Sequence, residues 1–85
     1  MAKIEIYSTK FCPYCVRAKM LLDQKGVEYQ EIRVDLDMEQ RKKMISLSGR
    51  TSVPQIFIDD DHIGGCDELY FLESQGGLDP KLGLA

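Results

Sequence analysis

Two cysteines separated by Pro13 and Tyr14, in the run Cys12-Pro13-Tyr14-Cys15, stand where an extended pattern gives way to a helical one. Ahead of them Ile4-Glu5-Ile6-Tyr7 alternates apolar and polar side chains, as a strand with a buried face does. Behind them Val16-Arg17-Ala18-Lys19-Met20-Leu21-Leu22 carries its apolar residues at helical spacing. Proline is suited to the first helical position, where its missing N–H leaves no bond unmade. Cys12 is then the residue at the helix N-terminus, facing unpaired backbone N–H groups and the positive end of the helix dipole. Cys15 lies one turn in on nearly the same face, so the two thiols can close a small disulfide ring and open it again.

That position sets the chemistry of Cys12. A free cysteine with a pKa near 8.5 is about 3% thiolate at pH 7, and a helix N-terminus lowers such a pKa by up to several units. The larger thiolate fraction is nearly cancelled by lower nucleophilicity, so attack gains little. Departure gains more, because a thiol of low pKa is the better leaving group. Cys12 is suited to accept a sulfur partner and give it up again. A zinc site is the alternative: His62 and Cys66 add a His-x-x-x-Cys spacing to the first pair. The strand before the motif and the proline inside it favour redox chemistry in a thioredoxin-like context.

The 85 residues are expected to form one domain, 1–85, with one modest core. Apolar content of 44% and charged content of 29% are those of an ordinary globular chain. A net charge of −3 argues against nucleic acid as a partner, and Arg41-Lys42-Lys43 is the only basic triplet. No apolar run is long enough to span a membrane, and Met1-Ala2-Lys3 leads into a strand without a signal-peptide core. A cytoplasmic, reducing compartment is therefore expected, where paired cysteines are more often catalytic than structural.

Along the chain, the pattern predicts a strand over Lys3–Ser8 and a helix over Pro13–Lys25, stopped by Gly26. A second strand is expected over Val27–Val34. Asp37 and Gln40 have the form of a capping box ahead of a helix over Met38–Leu47, with Met44 and Ile45 inward and Gly49 after it. Gln55–Ile58 and His62–Gly64 read as a hairpin around the polar turn Asp59-Asp60-Asp61. A last helix is expected over Asp67–Ser74, while Leu78–Ala85 carries no clear signal. The order is β-α-β-α-β-β-α, with the first two strands parallel through a right-handed crossover.

In that topology three further features converge on the cysteines. Ser52-Val53-Pro54 precedes the third strand, and a cis Val53–Pro54 bond would bring the Val53 backbone to the disulfide, free to pair with an extended thiol peptide. Gly64-Gly65-Cys66-Asp67 enters the last helix, where the N–H groups of Cys66 and Asp67 can bind a carboxylate. The Asp67 side chain either caps that helix or holds an ammonium. Lys10 and Arg41 supply positive charge. Together these groups suit a small ligand with a central thiol, a carboxylate at each end and one amine, which is the description of glutathione.

Over nearly its whole length the chain resembles the glutaredoxins, specifically the small dithiol class of bacteria. The likeness rests on Cys12-Pro13-Tyr14-Cys15, Val53-Pro54 and Gly64-Gly65-Cys66-Asp67 in the family's order and spacing. It implies a thioredoxin fold, a four-stranded mixed sheet flanked by helices, in a monomer that takes electrons from glutathione and needs no metal. It implies Cys12 as nucleophile toward protein disulfides, such as that of ribonucleotide reductase, and toward glutathionylated proteins, with Cys15 resolving the protein-bound intermediate. By position Lys10 and Arg41 would meet the glycyl carboxylate, Val53 and Pro54 the cysteinyl backbone, and Gly65, Cys66 and Asp67 the γ-glutamyl end. Tyr14 would flank the bound sulfur, and Phe11 would help shape the groove. Ser52 stands where the family commonly has Thr, and the residue at the position of Arg41 varies within it.

Two other functions compete. A redoxin fed by a flavoenzyme would share the dithiol, but the chain has no Trp, and Pro13-Tyr14 replaces the Gly-Pro typical of thioredoxins. A carrier of a [2Fe–2S] cluster, held by Cys12 of two chains and two glutathiones, belongs to relatives that generally lack Cys15 and this proline.

Overall fold

A computed structural model describes residues 2–84 of the chain. Its elements are β1 (Ile4–Ser8), α1 (Pro13–Gln24), β2 (Gln30–Arg33), α2 (Met38–Ser48), β3 (Gln55–Ile58), β4 (Asp61–Gly64), α3 (Cys66–Ser74) and α4 (Leu78–Leu82). The four strands form one sheet in the order β2-β1-β3-β4. β2 is parallel to β1, β3 is antiparallel to β1, and β4 returns antiparallel to β3.

Alternation along the strands sorts side chains to two faces. Ile4, Ile6, Ile56 and Ile58 face Ala18, Leu21 and Leu22 of α1, Leu69 of α3 and Leu78 and Leu82 of α4. Tyr7 and Phe57 face the other way and pack with Val34 and with Met44 of α2. Helices thus cover both faces of the sheet. Met44 is fully buried, whereas Ile45 lies at the margin of that second cluster.

Several boundaries differ from the sequence reading. The second strand is Gln30–Arg33 and not Val27–Val34, because in this register β1 offers partners only from Glu5 opposite Gln30 to Ser8 opposite Arg33. Val27 and Tyr29 pack against the core instead. The Asp37 capping box closes on one side: the Asp37 carboxylate accepts from the Glu39 and Gln40 N–H groups at 3.0 and 3.3 Å, while Gln40 Oε1 is buried without a partner. Asp59 and Asp60 both take positive φ, as a two-residue hairpin turn requires, so Asp61 joins β4. The segment after Gly77 is not featureless. It forms α4, whose Leu78 and Leu82 complete the core under α1 and α3.

Candidate active site

The strand-to-helix junction holds the two cysteines as the pattern predicts. Cys12 is the N-cap of α1 with extended backbone, and Pro13 is the first helical residue. Cys12 and Cys15 are joined in a disulfide with their Cα atoms 5.1 Å apart. The pair is asymmetric: Cys12 retains 8% exposure and Cys15 only 1%. A partner arriving from solvent therefore meets the Cys12 sulfur first. The Cys15 backbone N–H donates to Cys12 Sγ at 3.1 Å, using one of the donors that a helix start leaves unpaired. Phe11 and Tyr14 stand exposed on either side of Cys12.

Across from the disulfide lies the loop before β3. The Val53–Pro54 bond is cis, and the Val53 carbonyl oxygen is 3.8 Å from Cys12 Sγ. A cleft of about 190 Å³ runs from Tyr14 past Val53 and Pro54 to the start of α3, where Gly65, Cys66 and Asp67 form its far wall. Gly65 is there because the backbones meet: a Cβ at this position would stand 3.3 Å from the Pro54 carbonyl oxygen. Gly65 is also the N-cap of α3, which puts Asp67 at the second helical position. The cap reading of Asp67 is thus corrected, and Asp67 is one of the residues lining the cleft.

The capping partner is Glu68. Its Oε1 accepts from the Gly65 N–H at 2.9 Å and pairs with Arg50 Nη1 at 2.5 Å. The Gly65 N–H and then the Arg50 guanidinium hold the Glu68 carboxyl below its ordinary pKa. Arg50 lines the cleft as well. Neither residue was singled out from the sequence, although Gly65-x-x-Glu68 has the spacing of a capping box. Arg50 carried no such signal, because its partner is 18 residues away.

Lys10 and Arg41 stand outside the walls of this cleft. The Lys10 N–H donates to Asp35 Oδ2 at 3.2 Å and its ammonium lies 5.3 Å from the Phe11 ring centre. Asp35 fastens the loop ahead of Cys12, and the Arg33 guanidinium beside it lowers its pKa to about 2. Arg41 Nη2 reaches the Thr51 carbonyl at 3.5 Å, bracing the segment that leads to Val53. Cys66 is a free, buried thiol whose pKa is pushed up by burial. His62, weighed as a zinc ligand, instead hydrogen-bonds Gln55 Oε1 at 2.7 Å. Among the described residues no three His, Cys, Asp or Glu side chains cluster as a metal site, and no helix is long and apolar enough to cross a membrane.

The chain is similar to known proteins over most of its length. The glutaredoxin family model matches residues 4–63. Glutaredoxin 3 of Escherichia coli is 60% identical over 82 residues, covering 96% of this chain and 99% of that protein. The chain belongs to the glutaredoxin family. A glutaredoxin of Pseudomonas aeruginosa is 50% identical over 82 residues, covering 96% of this chain and 98% of its own. Among solved structures, that of glutaredoxin from Brucella melitensis superposes with a TM-score of 0.86 at 49% identity, covering 99% of this chain and 91% of that one. The buckwheat glutaredoxin–glutathione complex gives 0.88 at 34% identity, covering 96% and 77%. This glutaredoxin thus has the thioredoxin fold and is a thiol-disulfide oxidoreductase built on a Cys-x-x-Cys pair.

Proposed function

We propose that this glutaredoxin is a glutathione-dependent reductase of glutathione mixed disulfides and protein disulfides, with Cys12 as nucleophile and Cys15 as resolving thiol. The observation that carries the reading is the position of the outer sulfur. Cys12 Sγ lies 3.8 Å from the Val53 carbonyl oxygen, and Val53 is one wall of a cleft that reaches Gly65, Cys66 and Asp67 at the start of α3. A γ-glutamyl-cysteinyl-glycine chain laid along that cleft has its sulfur at Cys12. Its cysteinyl backbone pairs with Val53 and Pro54 as a short added strand. The carboxylate of its glutamyl end meets the free N–H groups of Cys66 and Asp67, and its ammonium meets the Asp67 side chain. Gly65 leaves room for the chain, Tyr14 flanks the sulfur, and Lys10 and Arg41 supply positive charge toward the glycyl end.

With a glutathionylated protein, the Cys12 thiolate attacks the glutathione sulfur. The S–S bond breaks, the protein leaves as thiolate, and Cys12 holds glutathione. A second glutathione thiolate attacks that sulfur, releasing oxidised glutathione and regenerating the Cys12 thiolate. With a protein disulfide, Cys12 attacks and Cys15 displaces the reduced protein, forming the Cys12–Cys15 disulfide. Two glutathiones then reduce it and depart as one oxidised glutathione. Departure of Cys12 is assisted by the Cys15 N–H aimed at its sulfur. Substrates in this reading are glutathionylated proteins and the disulfides of reductases such as ribonucleotide reductase, met by a monomer in the cytoplasm.

The test is NADPH consumption with glutathione, glutathione reductase and a glutathione mixed disulfide. Turnover that saturates in both thiol substrates is expected. Turnover that appears only with thioredoxin reductase would overturn glutathione dependence.

A further inference from the structure

Behind the cleft a buried side chain links a histidine to the loop that carries Val53. Gln55 opens β3 directly after Pro54 and is 1% exposed. Its Nε2 donates to the Ser52 carbonyl at 3.0 Å and lies 3.3 Å from Ser52 Oγ. Its Oε1 is 2.7 Å from His62 Nε2. A carboxamide nitrogen only donates and a carbonyl oxygen only accepts. The Ser52 carbonyl therefore fixes which end of Gln55 points at the loop, and the other end can only accept. His62 must then carry its hydrogen on Nε2. The imidazole is itself held, its ring centre 5.0 Å from that of Phe57 on the neighbouring strand. The result is a directed chain, His62 N–H to Gln55 C=O, and Gln55 N–H to Ser52 C=O.

We infer that His62 and Gln55 are positioning residues for the reaction: through this chain they hold Ser52 so that the adjoining Val53 backbone presents its polar groups to a thiol peptide in the cleft. The inference rests on the proposed reading of the cleft. Neither residue touches the sulfur. Gln55 forms part of the cleft wall, and the loop it restrains is the segment 3.8 Å from Cys12 Sγ. Loss of the His62 donor leaves a buried carbonyl unpaired, and the amide is then free to turn and release Ser52. The effect falls on substrate binding and not on the sulfur exchange itself.

The experiment measures KM and kcat for a glutathionylated peptide in wild type, His62→Phe, His62→Gln, Gln55→Met and the double variant His62→Phe/Gln55→Met. Phenylalanine keeps the ring contact and removes the donor. Glutamine returns an amide N–H near the Nε2 position. The expected result is a KM raised about 3- to 10-fold in His62→Phe, the range of one lost hydrogen bond, with kcat within about twofold. His62→Gln should bring KM back toward wild type. Gln55→Met should raise KM alike, and the double variant no further, because both act through one chain. A second readout needs no turnover. The Gln55 side-chain amide protons should exchange slowly in wild type, faster in His62→Phe, and slowly again in His62→Gln. Unchanged KM in His62→Phe with normal wild-type turnover overturns the inference alone, as does failure of His62→Gln to restore it. A wild type that does not turn over the glutathionylated peptide overturns the reading of the cleft, while fast Gln55 exchange in wild type overturns the chain itself.

Discussion

The Cys15 backbone N–H donates to Cys12 Sγ, so the buried end of the dithiol directs an amide at the sulfur of the accessible end. The two residues therefore differ in exposure and in what each offers the other. In the mixed-disulfide assay Cys12→Ser should fall to the uncatalysed rate, since the sulfur proposed to attack is gone. Cys15→Ser keeps both the Cys12 sulfur and the Cys15 backbone N–H, and should retain turnover of the wild-type order of magnitude. With a protein disulfide as substrate, Cys15→Ser should instead accumulate a mixed disulfide, visible as an added mass on the intact protein.

Cys66 should behave as an inert thiol. It is buried beside Leu69, and burial raises its pKa above that of a free cysteine. In reduced native protein, iodoacetamide at pH 7.5 should modify Cys12 at least about 100-fold faster than Cys66. Cys66 should react only after unfolding. Mass spectrometry of the alkylated peptides over time reads both rates, and comparable rates would show that the α3 start opens readily.

The Arg50–Glu68 pair gives a pH signature. The Glu68 carboxyl titrates below its ordinary value because the Gly65 N–H and Arg50 stabilise the charged form. A group with a depressed folded pKa contributes stability above its unfolded pKa, about 4.3 for Glu, and loses it as pH falls through the folded value. Glu68→Gln keeps an oxygen for the Gly65 N–H and removes the charge. The side chain is 43% exposed, so solvent screening keeps the deficit of this variant at pH 7 within about 1 kcal/mol. Denaturation midpoints of the two proteins should differ at pH 7 and converge below about pH 4. An offset that is constant with pH would assign the effect to packing.

Leu78 should be as costly to truncate as a residue of the central strands. It is fully buried against the cluster shared by α1, α3 and the sheet. Leu78→Ala should lower the unfolding free energy by about 2–4 kcal/mol, read as a lower urea midpoint with an unchanged slope. A loss under about 0.5 kcal/mol would mean that α4 adds little to the core.

What was legible in the sequence is what neighbouring residues decide among themselves. Alternation in Ile4–Tyr7 marks a strand, Pro13 marks a helix start, and Gly26 and Gly49 mark helix ends. Those local rules suffice to place Cys12 at an N-cap and to give the order of elements along the chain, while the β1–β3 pairing at the centre of the sheet came from the tertiary structure. The motif pieces were legible for the same reason: Cys12 to Cys15, Val53-Pro54 and Gly65 to Asp67 are each contiguous. Contacts between distant segments were not. The Arg50–Glu68 pair, the Asp35 bond to Lys10 and the His62–Gln55–Ser52 chain depend on strand register and on where a loop crosses a helix end. A five-residue helix such as α4 has too few turns to show a period, and it exists because Leu78 and Leu82 find a core to enter. The sequence alone determined the chemistry at the start of α1 and the family's frame around it. Only the tertiary structure decided which side chains wall the cleft and hold its loop, because pairings across the chain are set by packing and not by adjacency.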